Sequence, residues 1–192
     1  MTRKVLKLVT ILFLSIRSVV CFITYMGAPM PTRFFALATL VFSTLALALP
    51  APEGDTVLWV NGNIGVTNID SSAEFDLAMI DDLEQNEVKT NNHVVEEVTS
   101  YRGPKISSIL EAVGAKGEHI KVIAWDDYVV TIPIADIDKY GVLLATHEND
   151  KRMTIDGKGP LFVVFPFTDY PELQNDLYYN WSVWQVMEIV VE

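Results

Sequence analysis

The sequence predicts a single, sheet-rich α+β domain. Three observations point there. β-rich runs recur from Thr56 to Val191, helical stretches fall irregularly among them instead of alternating as β-α units, and no repeat, low-complexity tract or long linker divides residues 49–192. The body that remains, about 144 residues, is the size of one ordinary domain.

Leu49 to Asp55 reads as a short exposed leader, because Pro50, Pro52 and Gly54 discourage regular structure. Thr56-Val57-Leu58-Trp59-Val60 reads as a strand and Asn61-Gly62 as a tight turn. A helix is expected from Ser71, with Ser71 as N-cap, Glu74 as its capping-box partner, and Phe75, Leu77, Ala78, Ile80 and Leu83 on its buried side. Glu87 to Tyr101 alternates as a strand does, broken in two at Asn91-Asn92. Pro104 to Val113 places Ile106, Ile109, Leu110 and Val113 on one helical face, with Gly114 as the stop. Ile120–Trp125 and Tyr128–Ile134 are β-rich runs that put Asp126-Asp127 at a turn, and Ile134–Tyr140 reads as another short helix. Val142–Thr146 follows as a strand, and Glu148 to Lys151 as a polar turn. Leu161 to Phe165, apolar throughout, predicts a strand buried on both faces and ended by Pro166. Pro171 to Leu177 reads as a helical turn or short helix, and Val183–Val191 as a closing strand.

The first 48 residues have a different character. Met30-Pro31-Thr32-Arg33, the uncharged run Phe34–Leu49 and the ending Ala46-Leu47-Ala48 form a basic region, an apolar region and a small-x-small cleavage site, a signal peptide over 30–48. Its apolar run is shorter than the roughly 20 residues that a spanning helix needs. Val5 to Met26 is long enough, but Arg17 near its middle costs about 2.5 to 3.5 kcal/mol on insertion scales. Residues 1–29 therefore read as an upstream extension of the frame, with an N-terminal anchor as the rival. Cys21 lacks the small residue expected just before a lipidated cysteine.

Residues 49–192 hold no cysteine, and their nine Lys or Arg against 25 Asp or Glu give a formal charge of −16. No disulfide contributes there, and nucleic acid or anionic lipid would be repelled; the acidity serves solubility or a basic protein partner. His93, His119 and His147 have no metal-ligand spacing, and neither a Gly-x-Ser-x-Gly elbow nor a phosphate-binding glycine loop is present. No catalytic or metal residues are therefore assigned.

What the residues do offer is aromatic rings beside polar groups at turns: Trp125, Tyr128, Tyr179 and Trp181. Such rings would stack on a planar heterocycle while Asp126 or Asp127 accepts hydrogen bonds from an amidine-like edge. The competing reading is that they fill the core between sheets.

An ordered set of segments bears on that choice. Tyr101-Arg102-Gly103 with Ile106 to Gly114, Trp125-Asp126-Asp127-Tyr128, Ile132-Pro133 with Asp136, and Val142 to Thr146 come first. Lys158-Gly159-Pro160-Leu161 through Pro166, Asp169 to Leu173 and Trp181-Ser182-Val183-Trp184-Gln185 follow. Together they resemble the molybdopterin-binding domain of the sulfite oxidase family, over about half the chain. In that family a cysteine thiolate ligates molybdenum beside the pterin, and 49–192 offers none.

The segments are most similar to small exported members that bind pterins without the metal, some of which signal to the periplasmic part of a membrane enzyme controlling cyclic diguanylate. The resemblance implies a periplasmic pterin-binding protein with that kind of partner. It implies a ligand of the neopterin or monapterin type, held as ligand and not as catalytic cofactor. Relatives tend to place an arginine where this chain has Trp181, and the bases nearby are few: Arg102, Lys151, Arg152 and Lys158. The expected ligand is therefore an unphosphorylated pterin. On this reading Trp125, Tyr128 and Trp181 stack, Asp127 takes the amino-amide edge, and Arg102, His147, Lys158 and Asn180 form a polar wall. The alternatives are a molybdenum-cofactor oxidoreductase, or a subunit of one, and an interaction module with no small ligand.

Overall fold

The computed structural model describes residues 49–92 and 97–192; the segments expected to be a signal peptide and an upstream extension, together with Cys21 and His93, lie outside the described residues. Three sheets organise these residues. β1 (Thr56–Gly62), β2 (Ala73–Asp76), β5 (His119–Ala124), β6 (Val129–Pro133) and β11 (Val186–Val191) form a five-stranded sheet in the order β2-β1-β11-β5-β6. β3 (Gln85–Thr90), β4 (Thr99–Pro104), β8 (His147–Glu148) and β9 (Lys151–Arg152) form a second sheet in that order. β7 (Leu143–Ala145) and β10 (Phe162–Val164) make a separate, fully buried pair.

Register gives the large sheet two unlike faces. One row across it reads Ala73, Val60, Ile189, Val122, Val130, and another ends Val191, Ile120, Ile132. This face packs on α2 (Ile106–Ala112) and α3 (Ile134–Tyr140) through Ile106, Ile109, Leu110, Ile137 and Tyr140, with Leu161, Val163 and Phe165 in the same cluster. Each such buried side chain contributes about 1.5 to 3 kcal/mol of transfer free energy. The opposite face carries the row Glu74, Trp59, Glu188, Ile123, Val129. A smaller core of Tyr101, Leu143, Ala145, Met153, Phe162 and Val164 joins the second sheet to the buried pair.

The region around Ser71 departs from the helix expected there. Residues 73–76 pair antiparallel with β1, and the helix, α1 (Leu77–Asp82), starts only after Asp76. Alternation explains this: Ala73 and Phe75 are buried on the strand's inward face, so pairing with β1 outweighs the local capping-box signal. Asp76 is the true N-cap, accepting from Met79 N at 2.9 Å, and it also accepts from Glu53 N at 2.8 Å and Gly54 N at 2.7 Å. The leader is thus pinned, and Leu49 packs against the core instead of lying exposed.

Other departures are shifts of boundary. Gly62, expected in a tight turn, ends β1 at φ +88°, where any Cβ would sit 2.2 Å from Val191 O, so only glycine fits. The polar turn before Lys151 is a hairpin with Asn149 and Asp150 both at positive φ. Pro171–Leu173 forms a 3₁₀ turn, α4 (Asp176–Trp181) follows, and β11 begins three residues later than expected because Gln185 stands at φ +52°. Among the described residues, no helix is long and apolar enough to cross a membrane.

Backbone hydrogen bonds, Met79 N–H first and Gly54 N–H next, hold the Asp76 carboxyl below its ordinary value. A depressed folded value means stability that is fully present above the unfolded value and lost as pH falls through the folded one. Replacing Asp76 with alanine should lower the melting temperature by several degrees at pH 7, a difference that shrinks below about pH 4. Thermal unfolding followed by circular dichroism across that range checks it.

Candidate functional site

A cleft forms where two chain reversals meet at one end of the five-stranded sheet. The first is the β5–β6 hairpin. Asp127 N donates to Ala124 O at 3.1 Å, Ala124 N donates to Tyr128 O at 2.9 Å, and Asp127 sits at φ +65°. This is a three-residue loop whose last position must be left-handed. Asp126 braces it by accepting from Tyr128 N at 3.1 Å.

The second reversal leads from α4 into β11, and Gln185 ties it to its neighbours. Its carbonyl accepts from Trp125 N at 3.1 Å and its amide donates to Lys158 O at 2.9 Å. Its side-chain amide donates to Ile155 O at 2.7 Å and Gly157 O at 2.9 Å. The Tyr128 hydroxyl closes the cleft by donating to Asn180 O at 3.2 Å.

The cleft is open to solvent and its volume is about 320 Å³, at the lower end of the range for small-molecule sites. Tyr128, Tyr179 and Trp184 supply aromatic surface, and Asn92, Asp126, Asn180 and Gln185 supply polar groups. Ala124 and Val183 are buried at its base. No lysine or arginine lines it. A planar ligand with hydrogen-bond donors along one edge matches this combination.

Of the eight residues expected to bind ligand, Tyr128 and Asn180 meet in the cleft. Trp181 does not: it is 9% exposed, with its ring centroid 5.1 Å from Tyr178 and 6.3 Å from Phe165, because α4 turns its apolar side onto the main core. Trp125 is half exposed and meets the edge of Trp59 at 6.0 Å, away from the cleft lining. Asp127 occupies the left-handed loop position, and its neighbour Asp126 lines the cleft instead.

Arg102, His147 and Lys158 belong to the second sheet and its margin. Arg102 and His147 pair across β4 and β8, and His147 Nδ1 lies 2.8 Å from Thr146 Oγ1. Burial first, then the charges of Arg102 and Arg152, hold the His147 imidazole below its usual value. The Lys158 ammonium forms an ion pair with Glu148 and donates to the Tyr101 hydroxyl at 3.2 Å. Burial alone would lower its value, but those two partners outweigh burial and leave it above the ordinary lysine range. The Lys158 cation is thus engaged within the protein. Lys158 touches the cleft only indirectly, with Nζ 5.9 Å from the Trp184 ring centroid.

Trp184, Gln185 and Asn92 were absent from the expected set. The Ser-x-Trp-Gln segment was a visible signal for the first two; nothing local marks Asn92, which reaches the cleft from the far end of β3.

The two tryptophans of that segment should separate cleanly. Trp181→Ala should cost about 3 to 5 kcal/mol of stability by opening a cavity. Trp184→Ala, at a partly exposed site, should cost under about 1.5 kcal/mol. Urea unfolding of both variants measures the difference.

No protein-family model matches the chain, and no curated protein does. Among solved structures, it is similar to the sulfane dehydrogenase SoxCD from Paracoccus pantotrophus, with a TM-score of 0.53 and 14% sequence identity. The match covers 71% of this chain but 38% of that one, so the chain spans well under half of SoxCD's length. At this identity the likeness is one of fold: the chain is a sheet-rich α+β domain resembling the sulfite oxidase molybdopterin-binding fold.

Proposed function

We propose that this chain is an exported binding protein for an unphosphorylated pterin of the neopterin or monapterin type. It would report its ligand state to a protein partner such as the periplasmic part of a membrane enzyme controlling cyclic diguanylate. The observation that supports this most directly is the lining of the cleft: aromatic surface, one carboxylate and several amides around about 320 Å³, with no cation. The rings would stack on a bicyclic heterocycle. Asp126 and the amides would take its amino and amide edge, and a phosphate would find no counter-charge.

The molybdenum-bearing cofactor associated with the fold does not fit this donor set. Its usual anchor is a thiolate, and neither the cleft nor any other part of 49–192 carries a cysteine. Among the described residues no cluster of His, Cys, Asp and Glu is arranged to hold a metal ion. A signalling role further requires the partner to bind the loaded and empty forms unequally, since equal affinity shifts no equilibrium. The Tyr128 to Asn180 bond across the cleft offers the means, because a ligand seated there would bear on both reversals at once.

Mass spectrometry of the small molecules released on denaturing native protein, with calorimetric titration of neopterin, tests the reading. Pterin should be recovered, and Asp126→Asn should weaken binding by a charge-assisted hydrogen bond, about 1.5 to 3 kcal/mol. Asp127→Gly, which keeps the left-handed turn, should leave affinity within about twofold, since the side chain lost lies outside the cleft lining. Stoichiometric molybdenum in native protein would replace this reading with the oxidoreductase one. Neither bound pterin nor any response to added pterin would replace it with an interaction module.

A further inference from the structure

The two edges of the five-stranded sheet are treated differently. At β2 the Asn68 side chain accepts from Glu74 N at 2.8 Å and donates to Glu74 O at 2.8 Å. A neighbouring loop thereby occupies the hydrogen-bonding positions another strand would use. At the other edge α4 runs close to β6, but among the described residues no loop or side chain takes up the strand's outward hydrogen-bonding groups in this way. Its pairing with β5 fixes which backbone groups face outward: Ala124 N bonds Tyr128 O and Ile134 N bonds Glu118 O, so residues 128, 130 and 132 face β5 and residues 129 and 131 face away. Val129 is 48% exposed and Thr131 is also exposed. The strand Val-Val-Thr-Ile-Pro contains no charge of the kind that protects exposed edges.

We infer that the β6 edge takes up an extended, basic segment of another protein as an added strand. The outward N–H and C=O groups of Val129 and Thr131 would supply the main-chain bonds. Side chains of the added strand on one face would continue the row Trp59, Glu188, Ile123, Val129, with the half-exposed Trp125 beside it.

Charge selects the occupant. Exposed Asp126 and Asp127 stand at one end of β6 and exposed Glu118 beside the other, on a body of net charge −16. A second copy pairing antiparallel about β6 would bring Asp126-Asp127 next to the other copy's Pro133 to Asp136 end, acid against acid. A basic strand meets the opposite situation. This inference is independent of the pterin reading, since the outward groups of Val129 and Thr131 lie outside the cleft lining.

The test uses the full chain and a fluorescently labelled synthetic peptide of alternating lysine and valine, with a glutamate-valine peptide as comparison. The lysine peptide should bind, weaken as salt is raised, and slow hydrogen exchange at the Val129 and Thr131 amides while leaving Glu74 unchanged. Thr131→Pro removes one outward N–H at an edge, where proline is tolerated, and Val129→Lys adds a like charge; each should weaken binding by about tenfold or more. An unchanged thermal transition shows that a variant is folded. Binding that ignores both variants, equal binding of the glutamate peptide, or no binding of the lysine peptide would overturn the proposal. So would a dimer in sedimentation with Val129 and Thr131 protected before any peptide is added, which would assign the edge to a second copy.

Discussion

The placement of β11 at the centre of the large sheet is the constraint on which the remaining architecture depends. It pairs parallel with β1, the first strand of the described residues, and antiparallel with β5, and among the described residues no other strand joins those two halves. The long-range features of the large sheet follow. The buried rows through Ile189 and Val191 exist only once it is seated, and the loop that leads into it forms one wall of the cleft. Gln185 sets the entry angle through its positive φ and its bonds to two neighbouring loops. The topology makes the domain one of high contact order, in which loop closure precedes the reward of strand pairing.

The polar groups divide between two neighbourhoods with opposite habits. Around the second sheet, charges are paired internally, Lys158 with Glu148 and Arg152 with Asp81, while burial first and neighbouring cations next hold the His147 imidazole below its usual value. Around the cleft the polar groups are mainly amides and one carboxylate, arranged on loops and on α4. Trp184 stands between the two, lining the cleft while its ring meets the edge of Phe162 and lies within reach of Lys158. The ion pair therefore supports the aromatic wall from behind without entering the site.

Much of the fold was legible where a segment's pattern is self-sufficient. The apolar runs at Thr56, Ile120 and Leu161, the helical faces at Ile106 and Ile134, and the turn at Asp126-Asp127 appear where the sequence places them. What failed depended on partners distant in the chain. Ser71-Ser72-Ala73-Glu74 satisfies the local rules for a helix start, but β1 offers Ala73 and Phe75 a pairing no local rule contains. Placement around the candidate cleft has the same dependence. Trp181 and Trp184 are three residues apart and equally aromatic, and only the turn after α4 decides that one enters the core and the other the cleft. Asp127, chemically the same as Asp126, is set apart by a backbone dihedral.

The unequal treatment of the large sheet's edges also bounds how that sheet can associate. A strand-pairing surface that is open on both sides can propagate, because each added unit exposes a fresh edge and growth has no natural end. Here Asn68 terminates one side, so the sheet has a valence of one. Whatever pairs at β6 closes the stack, and the large sheet can support a discrete complex but not a fibre.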